Sequence, residues 1–536
     1  MLNEHINEFT VDAGLTQVAS YFNIVDNAVK TGDTNKRYTI SSNASTAPSC
    51  PFTAGSWTSF VISPQGDNMC DLFNSYITLE IDLGAFTGTF PSTAANAVTA
   101  GYSNAGIWVG FKDAMDAVEQ YQILANGQSI YTQSNAIEES YITNLATTEA
   151  VKRVDVYSKV THKDAWNASR THRIGCIITN ANKSGSHKIP LKIDIRRFLP
   201  LASIKYMPEF AGNIELRIKF GISGLVCTPL SPEYICGSPL LFHKLNANNF
   251  DVTNKFVPLS ELLAGHVKAI GSVTESSGTV TVANSALLTG LAHTGPVKID
   301  GCFSHLACFG LDDNLYQQLI QRYMKESLSF PIQTLTFNQM NGNCGGASTN
   351  KDFSLTVTPR FVDTIFVLFP KDNSHHTCYE NPLFDNVSLK MGGYGSVPEI
   401  PISSTGPEFY ELVSNAFNTN NDLTGFNKDV MKSLVNVGVS STGYYSYDCS
   451  NFVLAFPTST DNTFQQGQTS NTPITYQLKV KIASTDGAGT SNPYQNNAAC
   501  NPIMGFLKDS VLAIQLRPSG PPIISLDEYD ITSHAE

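Results

Sequence analysis

The stretch VEQYQILANGQSIYTQSNAIEESY occupies residues 118–141, and half a chain later FDNVSLKMGGYGSVPEIPISSTGPEFY occupies residues 384–410. Each starts as an alternating apolar run and breaks at a glycine turn. Each then crosses a Ser/Pro/Asn-rich patch and enters a short Glu-containing segment that ends in Tyr. The two share almost no identical residues, yet the order of events is the same. A chain that makes the same moves twice reads as two copies of one architecture.

The flanks extend the correspondence. NSYITLEIDLGAF (74–86) alternates Tyr76, Thr78, Glu80 and Asp82 against Ile77, Leu79, Ile81 and Leu83, the period of a strand with one buried face. Its counterpart is DTIFVLFP (363–370), and GNIELRIKF (212–220) likewise answers TYQLKVKI (475–482). Further strand-like runs are SWTSFVISP (56–64), GIWVGF (106–111), HKIPLKIDI (187–195), LSFPIQTLTF (328–337), NFVLAFP (451–457) and SVLAIQLRP (510–518). Helical spacing is confined to 136–152, to 312–326 with Asp312 or Asp313 as cap, and to 406–417. Parallel sheets need regular crossover helices, so short strands with so few helices predict antiparallel sandwiches. Eight strands per half in two packed sheets make a jelly roll.

The expected fold is therefore all-β, two tandem eight-stranded antiparallel jelly-roll sandwiches with short helices and long loops. The expected boundaries are an N-terminal arm over 1–45 and a first roll over 46–311, with a long loop excursion at about 230–300. A linking helix over 312–326, a second roll over 327–520 and a C-terminal tail over 521–536 complete the chain. At 536 residues the chain exceeds what one hydrophobic core usually supports, which favours two domains. Only 15% of residues are charged, and Asn, Thr, Ser and Gly fill the gap, a mix that belongs to loop-rich β proteins.

Net charge is −12 with no dense Lys/Arg block, so direct nucleic-acid binding is not expected. The eleven cysteines lie far apart in sequence; the nearest neighbours, Cys227/Cys236 and Cys302/Cys308, match no zinc or redox spacing and read as reduced, buried thiols. The N-terminus lacks a charged-then-apolar signal pattern, and no apolar run reaches about 18 residues. A soluble intracellular product is expected.

No catalytic, cofactor-binding or metal residues stand out. GGYGSV (392–397) lacks the Lys of a phosphate loop and reads as a turn, and the adjacent imidazoles of His375-His376 point apart on an extended chain. His162, His172 and His187 share a basic stretch with Asp164, Arg170 and Arg173, but nothing selects one Ser as a nucleophile. Arg196-Arg197 reads as an inter-subunit salt bridge or a solvated strand end. Glu138-Glu139 would diverge on a helix and so make a poor pair for glycoside hydrolysis. A tandem β-sandwich glycan-binding or attachment protein would need a face of exposed aromatics, for which YYSY (444–447) is the one dense candidate.

IPLKIDIRRFLPLASIKYMPEFAGNIELRIKF (189–220) resembles the segment closing the first jelly roll in major capsid proteins of virophages and polinton-like viruses. DDNLYQQLIQRYMKESLSFPIQTLTF (312–337) resembles the link into the second roll. The resemblance covers most of 50–520 as architecture, in a lineage that includes adenovirus hexon and tectivirus coats. It implies a major capsid protein without enzymatic activity or cofactor. It further implies homotrimeric, pseudo-hexameric capsomers in an icosahedral virion, and contacts with neighbouring capsomers, penton and minor capsid proteins. Many members enclose an internal membrane that separates coat from genome. The arm and tail are then expected as ties beneath the shell.

Overall fold

The computed structural model describes residues 13–31, 34–41, 52–64, 68–88, 106–146, 174–179, 181–229, 242–244, 252–254, 257–259, 267–276, 279–284, 292–342, 350–370, 379, 384–392, 412, 416, 452–458, 467–482, 501–518 and 520–527. Eight long-range strands build the first roll. In chain order they are Thr34–Ser41, Trp57–Val61, Met69–Asp82, Val118–Ala125, Gln128–Gln133, Lys188–Asp194, Ile214–Phe220 and Lys298–Leu311. The first pairs with the eighth, the second with the seventh, the third with the sixth and the fourth with the fifth, always antiparallel. Eighth against third and seventh against fourth then join these pairs into two sheets. That is an antiparallel ribbon rolled onto itself, a jelly roll.

The second half repeats the scheme. Leu328–Gln339, Asn350–Val357, Val362–Leu368 and Phe384–Met391 are its first four strands, and Leu454–Pro457, Ile474–Ile482 and Ile503–Gln515 its sixth to eighth. Pairs first–eighth, second–seventh and third–sixth recur, as do eighth–third and seventh–fourth. The fifth position falls outside the described residues. All three correspondences between the halves hold by strand number: third with third, fourth with fourth, seventh with seventh.

Local chemistry sets these elements. In the strand Met69–Asp82 the buried residues from 75 onward are the odd-numbered ones, as the alternation predicts. The hairpin within the first quoted stretch turns on Asn126 (φ 50°) and Gly127 (φ 81°), the left-handed pair that a type I′ turn requires. Asp312 caps the helix Asp313–Tyr323, its Oδ1 accepting from Asn314 N at 2.9 Å and Leu315 N at 3.3 Å.

Three expectations need correction. Within the expected arm, residues 13–41 form a helix, Ala13–Thr31, and the first strand of the roll. The helix buries Tyr21, Val25 and Ala28; Tyr21 donates to Tyr206 O at 3.3 Å and meets the rings of Tyr323 and Phe330 edge-on. Within the expected tail, Ile523–Asp527 pairs with the strand Ile503–Gln515. The excursion at 230–300 is not loop alone. Phe242–Lys244, Val252–Asn254, Val267–Ser276 and Thr279–Asn284 make one sheet. Val226–Pro229 and Val257–Pro258 join Gly106–Gly110 and Gly175–Thr179 in another, so three inter-strand connections of the first roll pair with each other. At Gly175 a Cβ would lie 2.3 Å from the Trp108 ring, so only glycine allows that close approach. Of the predicted helix at 406–417, only Leu412 and Ala416 are described, and both are helical.

Two cores result. The first runs through the first roll but also takes in Leu328, Phe330, Ile332, Leu512, Ile514 and Ile524 from the second. The other fills the second roll and takes in Tyr141, Ile142 and Leu199 from the first.

Because Thr34–Ser41 covers residues 304–311 of the eighth strand, removing residues 1–41 would leave that strand as an open edge. Such a truncation is expected to be insoluble or to form mixed oligomers on size-exclusion chromatography. A soluble, monodisperse product would show the first strand to be dispensable.

Candidate functional site at the seam between the rolls

The most concentrated polar chemistry among the described residues lies where the rolls meet. It is assembled from the helix Ala136–Ala146, the turn Ala114–Ala117, the turns Ile195–Arg197 and Leu199–Leu201, and the fourth and fifth strands of the first roll. Glu139 is at its centre, 1% exposed. Its carboxylate accepts from Tyr121 Oη at 2.8 and 3.0 Å, from Gln133 Nε2 at 2.6 Å and from Leu199 N at 3.3 Å. Gln133 Nε2 also donates across the seam to Leu335 O at 2.6 Å.

The neighbouring Glu138 faces the other way, accepting from Tyr379 Oη of the second roll at 3.5 Å. Tyr141 donates to Phe452 O at 2.8 Å and packs edge-on against Tyr379 with centroids 4.8 Å apart. The divergence expected of adjacent helical glutamates therefore holds, and it sends one carboxyl into each half. Ser203 Oγ donates to Pro331 O at 2.7 Å and Asn126 Nδ2 to Pro522 O at 3.1 Å, extending the seam.

Beside Glu139 lies a second buried set. Arg197 Nη2 donates to Asp113 Oδ2 at 2.6 Å, and Asp113 Oδ1 accepts from Met115 N at 3.0 Å. Asp116 closes a capping box by accepting from Asp113 N at 3.1 Å and takes a 2.7 Å bond from Ser140 Oγ. Burial, together with the Asp113 charge, pushes the Asp116 carboxyl up to about 7. Burial raises Glu139 to about 7 as well, against the opposing bonds from Gln133, Tyr121 and Leu199 and the Arg197 charge.

The residues singled out from sequence fare unevenly. Arg197 forms an internal ion pair, while Arg196 reaches Asp194 only at 3.9 Å. His187 is buried, its Nδ1 2.9 Å from Gly84 O and its ring edge-on to Phe86, as a wall of the first core. His162, Asp164, Arg170, His172, Arg173, His375, His376 and the YYSY stretch lie outside the described residues, as does Cys236. Among the described residues no group of three His, Cys, Asp or Glu side chains could hold a metal ion. Asp113, Asp116, Tyr121 and Gln133 escaped the sequence reading; an Asp three residues after an Asp, opening a turn, is the one local signal that marks any of them.

No family model matches the sequence, and no curated protein matches it. Among solved structures the chain is similar to VP54 of PBCV-1, fitted into a reconstruction of the virophage Sputnik. Identity is 12% and TM-score 0.42, over 91% of this chain and 97% of that one. It is similar to the mavirus major capsid protein at 9% identity and TM-score 0.44, over 92% and 90% of the two chains. For the Faustovirus major capsid protein the values are 10% and 0.38, over 89% and 90%.

Carboxyls raised above their unfolded values hold protons in the folded state that the unfolded chain has released. Stability is therefore fully present below the ordinary carboxylate range and falls as pH rises through about 7. Replacing Glu139 with Gln should flatten the decline in thermal midpoint between about pH 5 and pH 8. An unchanged slope would show that this carboxyl does not titrate there. Glu139→Ala removes an acceptor shared by Tyr121, Gln133 and Leu199 N and should cost about 2–4 kcal/mol in denaturant unfolding at either pH.

Proposed function

We propose that this chain is the major capsid protein of an icosahedral virion, with a structural role and no catalytic one. The observation that carries the reading is the pair of rolls with one strand-pairing scheme, held to each other by shared cores and a buried polar seam. A unit holding two equivalent rolls presents similar packing edges twice. Three copies would place six rolls around a threefold axis and give a near-hexagonal outline, which tiles a closed shell. The resemblance of residues 189–220 and 312–337 to virophage and polinton-like coat proteins supports the same reading.

In that setting the sheets raised from the first roll's connections would serve contacts between subunits or with the exterior, the usual use of elaborated loops on a rigid scaffold. The net charge of −12 favours a coat that does not itself condense the genome. Neighbouring capsomers would be the main partners, with penton and minor capsid proteins at vertices and beneath the shell, and an internal membrane inside it.

Light scattering on purified protein should give three times 58.2 kDa, with near-hexagonal particles in negative stain. A clean monomer that forms no shells at high concentration would overturn the reading and turn attention to glycan binding.

A further inference from the structure

The third and eighth strands of the first roll place two thiols side by side. Cys70 and Cys308 are direct register partners, between the pairs Asp71–Ala307 and Met69–Phe309. Both are thiols, 0% and 2% exposed, inside the first core. They face each other across the ladder, and Cys70 Sγ lies 3.7 Å from Ser75 Oγ. Directly opposite residues of an antiparallel pair have Cα atoms about 4.5 or 5.5 Å apart, and both spacings fall within the roughly 4.4–6.8 Å that a disulfide spans.

The ladder is irregular beside them. The pairing shifts between His305 and Ala307. There Ser75 Oγ donates to Asp71 O at 2.6 Å and accepts from Ala307 N at 3.0 Å. A side-chain hydroxyl thus bridges a position where backbone groups would otherwise meet. These two strands join an early and the last strand of the first roll.

We infer that Cys70 and Cys308 are a latent disulfide site, a cross-strand staple closed by a small-molecule disulfide when the third and eighth strands open. The Cys70 thiolate attacks one sulfur of oxidised glutathione and expels one glutathione thiolate. The Cys308 thiolate then attacks Cys70 Sγ in the mixed disulfide and expels the second. Two protein thiols become one disulfide while one oxidised glutathione becomes two reduced ones, and the two thiol protons pass to the departing thiolates. The neighbouring Cys308 and burial both hold the Cys70 thiol well above its usual range, which slows exchange while the strands are closed. The closed bond would encompass a loop of about 240 residues, long enough for the constraint on the unfolded chain to be large. The site follows from strand register and stands whether or not the chain is a capsid subunit.

The test holds full-length protein in oxidised and reduced glutathione just below its unfolding midpoint, where strands open transiently. Alkylation, digestion without reduction and peptide mapping follow. The expected product is a Cys70–Cys308 linked peptide, about tenfold over any other pairing, and a protein that unfolds at higher denaturant than its reduced form. Cys308→Ala and Cys70→Ala should each fold and lose both effects. Scattered pairings, or glutathione left on Cys70 without the cross-link, would overturn the inference.

Discussion

The first strand of the second roll, Leu328–Gln339, has both faces buried, and the assembly of the molecule depends on it. Leu328, Phe330 and Ile332 belong to the core of the first roll; Leu335 belongs to that of the second, and Phe337 packs against it. The switch of parity between 332 and 335 follows from the alternation of a strand, whose successive side chains face opposite sides. Its partner Ile503–Gln515 is also shared, but along its length, with Met504, Phe506 and Leu507 in the second core and Leu512 and Ile514 in the first. One two-stranded ribbon thus serves as wall to both rolls, and neither core is complete without it. The helix Ala13–Thr31 lies over the same joint, touching Tyr206, Tyr323 and Phe330 at once through Tyr21.

Apolar contact alone does not fix how two sandwiches sit, because such surfaces slide. The buried polar seam supplies direction. The helix bearing Glu138, Glu139 and Tyr141 puts donors and acceptors at defined points on both halves. A displacement of one roll would break the bonds from Gln133 to Leu335 O and from Tyr141 to Phe452 O, at a cost of about 1–3 kcal/mol for each group left buried and unpaired. Burying Asp113 beside Asp116 is expensive in itself, and the Arg197 ion pair with the Ser140 bond offsets it. Such a set contributes more to geometry than to net stability.

The two-roll plan was legible because it rests on alternation, and alternation is local. Ile77, Leu79 and Ile81 reveal their strand by spacing alone, and Asn126-Gly127 reveals its turn by backbone preference. The first strand, TNKRYTIS, was not legible. It lies at the rim of its sheet with one ladder neighbour, and its polar composition lacks an apolar period. Ile523–Asp527 was hidden for a similar reason, as a short edge strand following Pro521 and Pro522. The seam was the least legible part. Nothing within ten residues of Glu139 announces Tyr121 or Leu199 as its donors, because folding brings them together from 18 and 60 positions away. The resulting shift in acidity belongs to the assembled site.

The pairing of Thr34–Ser41 with Lys298–Leu311 carries a consequence for synthesis. A ribosome adding about 5–20 residues per second delivers the eighth strand roughly 13–55 seconds after the first. Throughout that interval the opening segment has emerged with no strand to join, and the helix before it waits longer still for Phe330. A hydrophobic first strand would spend that time seeking other chains. The charged residues Lys36 and Arg37 in its sequence oppose such association, so the polarity that conceals the strand in the sequence also suits a segment that must wait.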